Sequence, residues 1–211
     1  MPPDAQRRNL ILCLSGMLVA GPVLATRLLT TPAQMAGPFY PLEYPLDDDN
    51  DLTRVRGRNG VAKGRIADIG GRVLDTDGRP IPGARVEIWQ CDAHGRYHQP
   101  HDRGGPLDEN FQGFGQHTTD ANGHYRFRTI RPVPYPGRTP HIHYAVLIPG
   151  RRPFTTQLYV AGDPGNDGDF LYRRIPAERR HLVTSEFLPV GNGSPALTAR
   201  FDIILGGTPG L

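Results

Sequence analysis

Apolar and polar positions in the middle of the chain follow the pattern of short β-strands separated by turns. Ala84–Trp89 and Tyr125–Thr129 alternate between apolar and polar residues, which is typical of strands buried on one face. Asp75–Arg79 and Asp120–Gly123 contain the Asp-Gly and Asn-Gly pairs that favour turns. The pattern predicts strands over residues 69–74, 84–89, 125–129, 141–148, 155–160 and 200–205.

Helical signals are sparse by comparison. Only Pro176–Leu182 has helical character, with proline at a position that the first turn tolerates. Short strands between turns at regular spacing favour an all-β fold, an antiparallel β-sandwich with long loops and at most one or two short helices. Residues 26–211 contain no internal repeat, and we predict that they form a single domain.

The first 25 residues have the features of an export signal. Arg7 and Arg8 precede the apolar run Leu10–Ala20, and Val23–Ala25 has the residue spacing for cleavage after Ala25. The apolar run is too short for a membrane-spanning helix. The arginine pair resembles a twin-arginine signal, with an ordinary Sec signal as the alternative. We therefore predict an exported protein, periplasmic or extracellular, without a stable membrane span once the signal is removed.

Composition and charge narrow the possible functions. The chain has 26 glycines and 22 prolines without a repeating period, which suits a loop-rich β domain because strand-like runs recur. The net charge is only +3, and no basic stripe with interleaved aromatic residues is present, so nucleic-acid binding is disfavoured. Of the two cysteines, Cys13 lies in the export signal, and Cys91 is expected to be a small buried hydrophobe.

Candidate chemistry is concentrated after residue 131. Prolines exclude a helix as far as Pro140, and the following residues are predicted to form a strand that places His141 and His143 on one face. Two imidazoles on one face can hold zinc, copper or iron, or can be plain polar surface. Tyr135 and Arg138 lie on the proline-stiffened loop that leads into this strand.

Eight segments in order give the chain a resemblance to the intradiol ring-cleavage dioxygenases, the family that cleaves catechol and protocatechuate. The resemblance extends from about Gly37 to Leu205 and rests on the order and spacing of the segments. They are Gly37–Pro41, Val86–Gln90, Gly95–Tyr97, Tyr125–Pro132, Tyr135–Pro136, Arg138 with His141–His143, Thr156–Tyr159 and Arg200–Ile203.

This resemblance implies one non-haem ferric ion, Fe(III), bound by Tyr97, Tyr135, His141 and His143. The ligand set is chemically reasonable, because ferric iron is a hard cation that favours anionic oxygen and promotes ionisation of a phenol. The implied reaction is cleavage of a catechol-type diol by O2 to a cis,cis-muconate-type diacid. The implied partners are that diol and O2, and a homo-oligomer is compatible with the resemblance.

The resemblance also implies roles for residues around the metal. Tyr135 is expected to accept a substrate proton, and Arg138 to stabilise the charge that develops on the ring. Gln157 is expected near the intermediate, and Phe39 and Tyr40 at the pocket mouth. The loop between Tyr135 and His141 is short, and a glycine stands at position 137 where an aromatic residue is frequent, so the pocket is expected to be open and the substrate stays undecided.

Two other functions remain open from the sequence. Residues 71–88 resemble a transthyretin-like binding module, although such modules lack the two tyrosines and two histidines. Alternatively, the paired histidines belong to a copper or zinc protein that does not use Tyr97. A second group of histidines near Tyr97 is expected to be solvated or to lie behind the ligands: His94, His98 and His101.

Overall fold

The computed structural model describes residues 27–206 apart from Leu42 and Leu46. In that part of the chain, regular structure consists of ten strands, one α-helix (α1, Phe170–Arg173) and two 3-10 helices, Asn166–Gly168 and Ala177–Val183. The strands are β1 Ile66–Asp75, β2 Arg85–Trp89, β3 Phe114–Thr118, β4 His124–Ile130, β5 His141–Leu147, β6 Phe154–Val160, β7 Thr184–Ser185, β8 Leu188–Pro189, β9 Leu197–Arg200 and β10 Ile203–Leu205. The export signal predicted over residues 1–25 lies outside the described residues and stays a prediction.

The strands form two five-stranded sheets, which confirms the all-β prediction. In the first sheet, β1 pairs with β4 on one side and with β9 and β10 on the other, and β8 pairs with β9. The second sheet has the order β3-β2-β5-β6-β7.

The prediction of purely antiparallel sheets was wrong at three pairings. β1 runs parallel to β9 and to β10, and β6 runs parallel to β7. Tight turns between neighbouring strands make antiparallel pairs, whereas a strand that arrives by a long connection can pair in either direction. The sequence identifies the turns but not the partner of a strand that follows a long connection.

The strand predicted over residues 200–205 is broken in two at Phe201 and Asp202. At the break, the Phe201 amide donates to the carbonyl of Gly70 (3.0 Å), and the Arg72 amide donates to the Asp202 carboxylate (2.9 Å). A Cβ at position 71 would lie 1.8 Å from the Phe201 carbonyl oxygen, so this close approach requires Gly71. An aspartate side chain therefore replaces one backbone acceptor in the ladder.

Buried apolar side chains from both sheets form one core cluster. The first sheet contributes Ile69 and Phe127 among others, and the second contributes Ile88, Ile142 and Tyr144. Alternate residues of β5 thus face the core, and the intervening residues face the opposite side of the second sheet, called here the outer face. Loops and the segment before β1 cover the outer face, so β5 is buried on both sides.

The short elements differ from the predictions for local reasons. The helix predicted over residues 176–182 is a 3-10 helix one residue further along. Neither β3, whose residues lack clear alternation, nor α1 is predicted from the sequence. Asp169 begins α1 by accepting the amides of Leu171 and Tyr172, each at 2.9 Å.

Among the described residues, no helix combines the length and the apolar character needed to cross a bilayer.

Candidate metal centre

The register of the second sheet lines up several polar side chains on its outer face. His143 on β5 lies opposite Trp89 on β2 and opposite Gln157 on β6. His141 lies opposite Tyr159 in the same way. Residues that face each other across a sheet have their side chains in contact. The pairing thus brings Gln157, predicted from the resemblance, next to the histidine pair.

The two histidines face each other through the same ring nitrogen. Their Nε2 atoms are 3.2 Å apart, and both residues are about 1% exposed. The Nδ1 atom of His141 lies 2.6 Å from the carbonyl oxygen of Thr139. Because a carbonyl only accepts, Nδ1 carries the hydrogen, and Nε2 presents its lone pair towards His143. This arrangement suits a metal ligand held in one tautomer.

Burial controls the protonation of both imidazoles. It lowers the pKa of His141 from 6.5 to about 3 and the pKa of His143 well below its ordinary value, and Arg138 acts in the same direction on each. Both rings are therefore neutral at pH 7, which is the form that binds a metal.

A pH dependence follows from the shift at His141. In the unfolded chain this ring binds a proton below about pH 6.5, but in the folded chain only near pH 3. The unfolded state therefore binds more protons across this window, so we expect the free energy of unfolding of the metal-free protein to fall as the pH drops from 6.5 towards 3. Urea denaturation at a series of pH values, compared with His141→Gln, measures this slope.

Carboxylates also titrate at the lower end of this pH window. The contribution of His141 is therefore measured as the difference in pH slope between the wild type and the variants. His141→Gln should flatten the pH profile between 6.5 and 4.5, whereas His181→Gln, at an exposed position, should leave it unchanged. Equal slopes for the wild type and His141→Gln would contradict the assigned shift.

Tyr135 and Arg138 are brought together by a tight turn. The Arg138 amide donates to the Tyr135 carbonyl (2.9 Å), with Pro136 and Gly137 between them. Proline followed by glycine is the order that a type II turn favours, and Gly137 has the positive φ of 81° that such a turn needs. The motif Tyr-Pro-Gly-Arg therefore contained a signal for this juxtaposition that the sequence analysis did not use.

The loop that carries Tyr97 packs directly against the Tyr135 loop. Gly95 has a φ of 78°, and a Cβ at this position would lie 3.0 Å from the Pro134 carbonyl oxygen and 3.4 Å from the Tyr135 Cβ. Glycine is therefore needed for both the backbone conformation and the close approach. The Tyr97 amide donates to the Asp102 carboxylate (2.8 Å), which fixes the backbone beneath the tyrosine.

The four predicted ligands form a closed ring of neighbours. Ring centroids are 5.5 Å apart for Tyr97 and Tyr135, 5.5 Å for Tyr135 and His141, 4.8 Å for His141 and His143, and 6.2 Å for His143 and Tyr97. Tyr97 is 2% exposed, and its hydroxyl has no hydrogen-bond partner among the described residues. A buried hydroxyl without a partner is unfavourable, so a metal ion fits this position as the missing partner.

The two tyrosines differ in their surroundings. Burial raises the pKa of Tyr97 well above its usual range, with smaller contributions from Cys91 and Tyr135. Burial also raises the pKa of Tyr135. The Arg138 guanidinium opposes the pKa shift of both tyrosines, but it donates a hydrogen bond only to the Tyr135 hydroxyl. Tyr135 is only half-buried. Ionisation of Tyr97 therefore depends more heavily on a nearby cation, and Tyr135 is the more accessible phenol.

Arg138 is held in place from three sides. Its Nε donates to the Asp169 carboxylate (2.7 Å), one Nη donates to the Gln157 side chain (2.6 Å), and the other donates to the Tyr135 hydroxyl (3.4 Å). The Arg138 side chain is 7% exposed and that of Asp169 is fully buried. Asp169 was missed in the sequence, because nothing local connects this aspartate to Arg138, which lies 31 residues earlier.

The other predicted residues are placed as follows. Phe39 stacks on Tyr97 with ring centroids 4.3 Å apart, whereas Tyr40 packs edge-on against Trp89 at 4.9 Å. Phe39, Trp89 and Tyr97 line a cavity of about 260 Å³. Arg138 and Gly137 line a separate groove of about 420 Å³. A Cβ at position 137 would meet nothing within 4 Å, in keeping with the open pocket expected there.

The rival histidine cluster does not assemble. His101 donates to or accepts from no other histidine and lies 3.0 Å from the Pro38 carbonyl, stacked on Phe39. Within the part of the chain that the structure describes, no three His, Cys, Asp or Glu side chains gather around a metal position. The phenol rings of Tyr97 and Tyr135 lie beside the histidine pair. Cys91 is buried, as predicted, and burial raises its pKa to about 12.

Fold and site together define a class of protein. A two-sheet β fold carries two tyrosines, two histidines and a buried arginine on the outer face of one sheet. This donor set of phenol oxygen and imidazole nitrogen suits a hard transition-metal ion such as ferric iron. The class is that of an all-β protein with a candidate transition-metal site.

Comparison with known proteins specifies the family. A family model described as dioxygenase matches residues 35–207. The protocatechuate 3,4-dioxygenase beta chain of Burkholderia cepacia is 40% identical over a 181-residue alignment that covers 81% of this chain and 77% of that one. A hydroxyquinol 1,2-dioxygenase of Corynebacterium glutamicum is 34% identical over a 202-residue alignment that covers 83% of this chain and 64% of that one. The chain belongs to the intradiol ring-cleavage dioxygenase family.

Solved structures agree with this assignment. The dioxygenase domain of a dioxygenase–carbohydrate-binding protein fusion from Streptomyces sp. SirexAA-E is 30% identical, with a TM-score of 0.65 and coverage of 85% of this chain and 99% of that domain. An intradiol ring-cleavage dioxygenase from Tetranychus urticae, 23% identical with a TM-score of 0.67, shows the same fold over 85% of this chain and 95% of that one. By contrast, the chain spans only about half of the catechol 1,2-dioxygenase of Acinetobacter baylyi (52%).

Proposed function

We propose that this protein cleaves a catechol-type diol between its two hydroxyl-bearing carbons, using O2 and one non-haem ferric ion. Both oxygen atoms enter the product, a cis,cis-muconate-type diacid, so the diol and O2 account for all its atoms. The observation that carries the proposal is the closed ring of Tyr97, Tyr135, His141 and His143, in which the buried Tyr97 hydroxyl has no partner among the described residues.

These four side chains would hold the iron, which when bound would supply the charge that ionises both tyrosines and attracts the two oxygens of the diol. The surroundings of the two tyrosines give them different proposed roles. Tyr97 is enclosed and stacked under Phe39, so it is expected to stay in place. Tyr135 is half-buried beside Arg138, and its hydroxyl oxygen is suited to take a proton from an incoming diol.

Arg138 and Gln157 complete the proposed machinery. Arg138 has two of its nitrogens bound to Asp169 and Gln157, so the cation is fixed before any substrate arrives. A fixed cation in a site that excludes water stabilises developing negative charge more strongly than the same group in solvent. Gln157 accepts from both Arg138 and Tyr159 (3.1 Å), which orients its carboxamide towards the arginine.

An assay with a panel of diols tests the proposal. We expect the purified protein to be reddish, because ferric tyrosinate absorbs visible light. With its preferred diol among catechol, protocatechuate and hydroxyquinol, it should consume one O2 for each diol molecule cleaved. Anaerobic addition of the preferred diol should shift the visible band. Zinc-loaded protein provides the control and should be colourless and inactive. A protein that remains colourless and inert after loading with ferrous or ferric iron would refute the proposal.

That same outcome would favour one of the two alternatives. A copper or zinc site would bind its metal at the histidine pair without depending on Tyr97. A binding module would bind no metal.

Four further expectations belong to this proposal: a sandwich of the transthyretin type, a single domain over residues 26–211, export from the cytoplasm and a possible homo-oligomer. A solved structure of the mature protein tests the first two.

A further inference from the structure

Glu87 is a carboxylate buried on the outer face of the second sheet. Its neighbours on β2, Val86 and Ile88, point into the core, and Glu87 itself is 0% exposed. Its oxygens accept the hydroxyl of Tyr40 (2.8 Å) and the hydroxyl of Tyr44 (3.1 Å). The Arg85 guanidinium lies 3.0 Å from the carboxylate as an ion pair. Both hydroxyl donors thus come from the chain before β1.

The segment Gly37–Pro41, called here the strap, contacts three of the four proposed metal ligands. Phe39 stacks on Tyr97 at 4.3 Å and meets Tyr135 edge-on at 6.0 Å. Gly37 approaches His143 so closely that a Cβ at position 37 would lie 3.3 Å from the imidazole Cε1. The position of the strap therefore affects how these rings are arranged.

His143 depends on this packing in a way that His141 does not. The His141 ring is fixed by its hydrogen bond to the Thr139 carbonyl. The Nδ1 atom of His143 has no hydrogen-bond partner among the described residues. Its orientation comes instead from stacking on Trp89, with centroids 4.9 Å apart and planes at 7°. Tyr40, which donates to Glu87, packs edge-on against the same indole.

We propose that Glu87 is a positioning residue that fastens the strap to the second sheet and so keeps Trp89, His143 and Tyr97 aligned for the metal. This inference rests on the proposed function for its metal, but the contacts themselves exist without one. A buried carboxylate is stable only while its partners remain in place. Release of the strap would expose Glu87. The hydrogen bonds from Tyr40 and Tyr44 therefore hold the strap in place, and the strap in turn keeps the Glu87 carboxylate buried.

The metal-free protein provides the first test, because Trp89 is the sole tryptophan. In Glu87→Gln, the amide cannot accept from both tyrosines through two oxygens. We expect a red-shifted emission, greater quenching by acrylamide, and roughly tenfold faster chymotrypsin cleavage after Phe39, since one charge-assisted hydrogen bond is lost. Circular dichroism confirms that the variant is folded.

A matched control is Asp68→Asn, which removes a carboxylate paired with Arg128 on the first sheet. Asp68 lies on the first sheet and Trp89 on the second. Loss of the Asp68 carboxylate should therefore leave the Trp89 emission and the chymotrypsin cleavage unchanged. Tyr40→Phe keeps the ring against Trp89 but removes its bond to Glu87. If Tyr40 and Glu87 act as one unit, the double variant Tyr40→Phe with Glu87→Gln should be cleaved no faster than Glu87→Gln alone. Additive effects would overturn the inference.

Iron retention is the second test and separates this inference from the proposed function. After dialysis against a chelator, Glu87→Gln should retain roughly tenfold less iron than the wild type and Asp68→Asn. If Glu87→Gln loosens the strap but retains iron as the wild type does, the positioning role is refuted and the proposed function stands. If even the wild type binds no iron, the proposed function fails, and the fluorescence and cleavage results still decide whether Glu87 fastens the strap.

Discussion

Replacement of Arg138 by Gln is expected to lower kcat for diol cleavage by roughly 10²–10³-fold, the usual loss when one preorganised charge-stabilising group is removed. Arg138 contacts the Tyr135 hydroxyl at 3.4 Å and Gln157 at 2.6 Å, and it is not among the proposed ligands. Iron content should therefore stay near that of the wild type. Stopped-flow spectra of the visible band separate diol binding from turnover, and only turnover should fall steeply.

Two further variants show whether charge or geometry matters at this position. Arg138→Lys keeps the charge but cannot bond Asp169 and Gln157 together, so it should recover only part of the lost rate. Asp169→Asn keeps Arg138 but weakens the ion pair that orients it, and a smaller loss in kcat is expected. A kcat for Arg138→Gln within a factor of about three of the wild type would contradict the assigned role.

Much of the fold was accessible from the sequence because its signals are local. Alternation located β2 and β4, strand-like apolar runs located β1, β5 and β6, and turn residues located connections between strands. The partner of a strand is not local information. The parallel pairing of β9 and β10 with β1 depends on the close approach of Gly71 and Phe201, which are 130 residues apart in sequence.

The candidate site was recovered in a different way. Two histidines at alternate positions of a strand are adjacent by geometry alone, and the structure places their Nε2 atoms 3.2 Å apart. Nothing local connects Tyr97 to Tyr135. Only the family resemblance predicted that pairing, and its physical basis is the glycine at position 95, which lets the two loops touch.

Residues that position the site were the hardest to predict. Asp169 and Glu87 are buried carboxylates whose partners come from distant parts of the chain, Arg138 for one and Tyr40 with Tyr44 for the other. In the sequence neither is distinctive, because Asp169 lies outside every predicted element and Glu87 is a polar position in a predicted strand. Their burial distinguishes them in the structure. It depends on the loops that cover the outer face, so the local sequence does not reveal it.

Replacement of Tyr97 by Phe is expected to have opposite effects on metal binding and on stability. Loss of one anionic ligand should weaken ferric iron binding by on the order of 10²-fold or more and remove much of the visible band. The metal-free variant should be at least as stable as the wild type, because the substitution removes a buried hydroxyl that has no partner among the described residues. Chelator competition and urea denaturation measure the two effects.

Tyr135→Phe is the matched control, since it removes the same group from the half-buried tyrosine beside Arg138. This variant should retain more iron than Tyr97→Phe but form its diol complex more slowly, because the acceptor for one substrate proton is gone. The contrast follows from the enclosure of Tyr97 under Phe39 and the accessibility of Tyr135. Full turnover in both variants would refute the roles assigned to the two tyrosines. A metal-free Tyr97→Phe protein markedly less stable than the wild type would show that the Tyr97 hydroxyl has a structural partner.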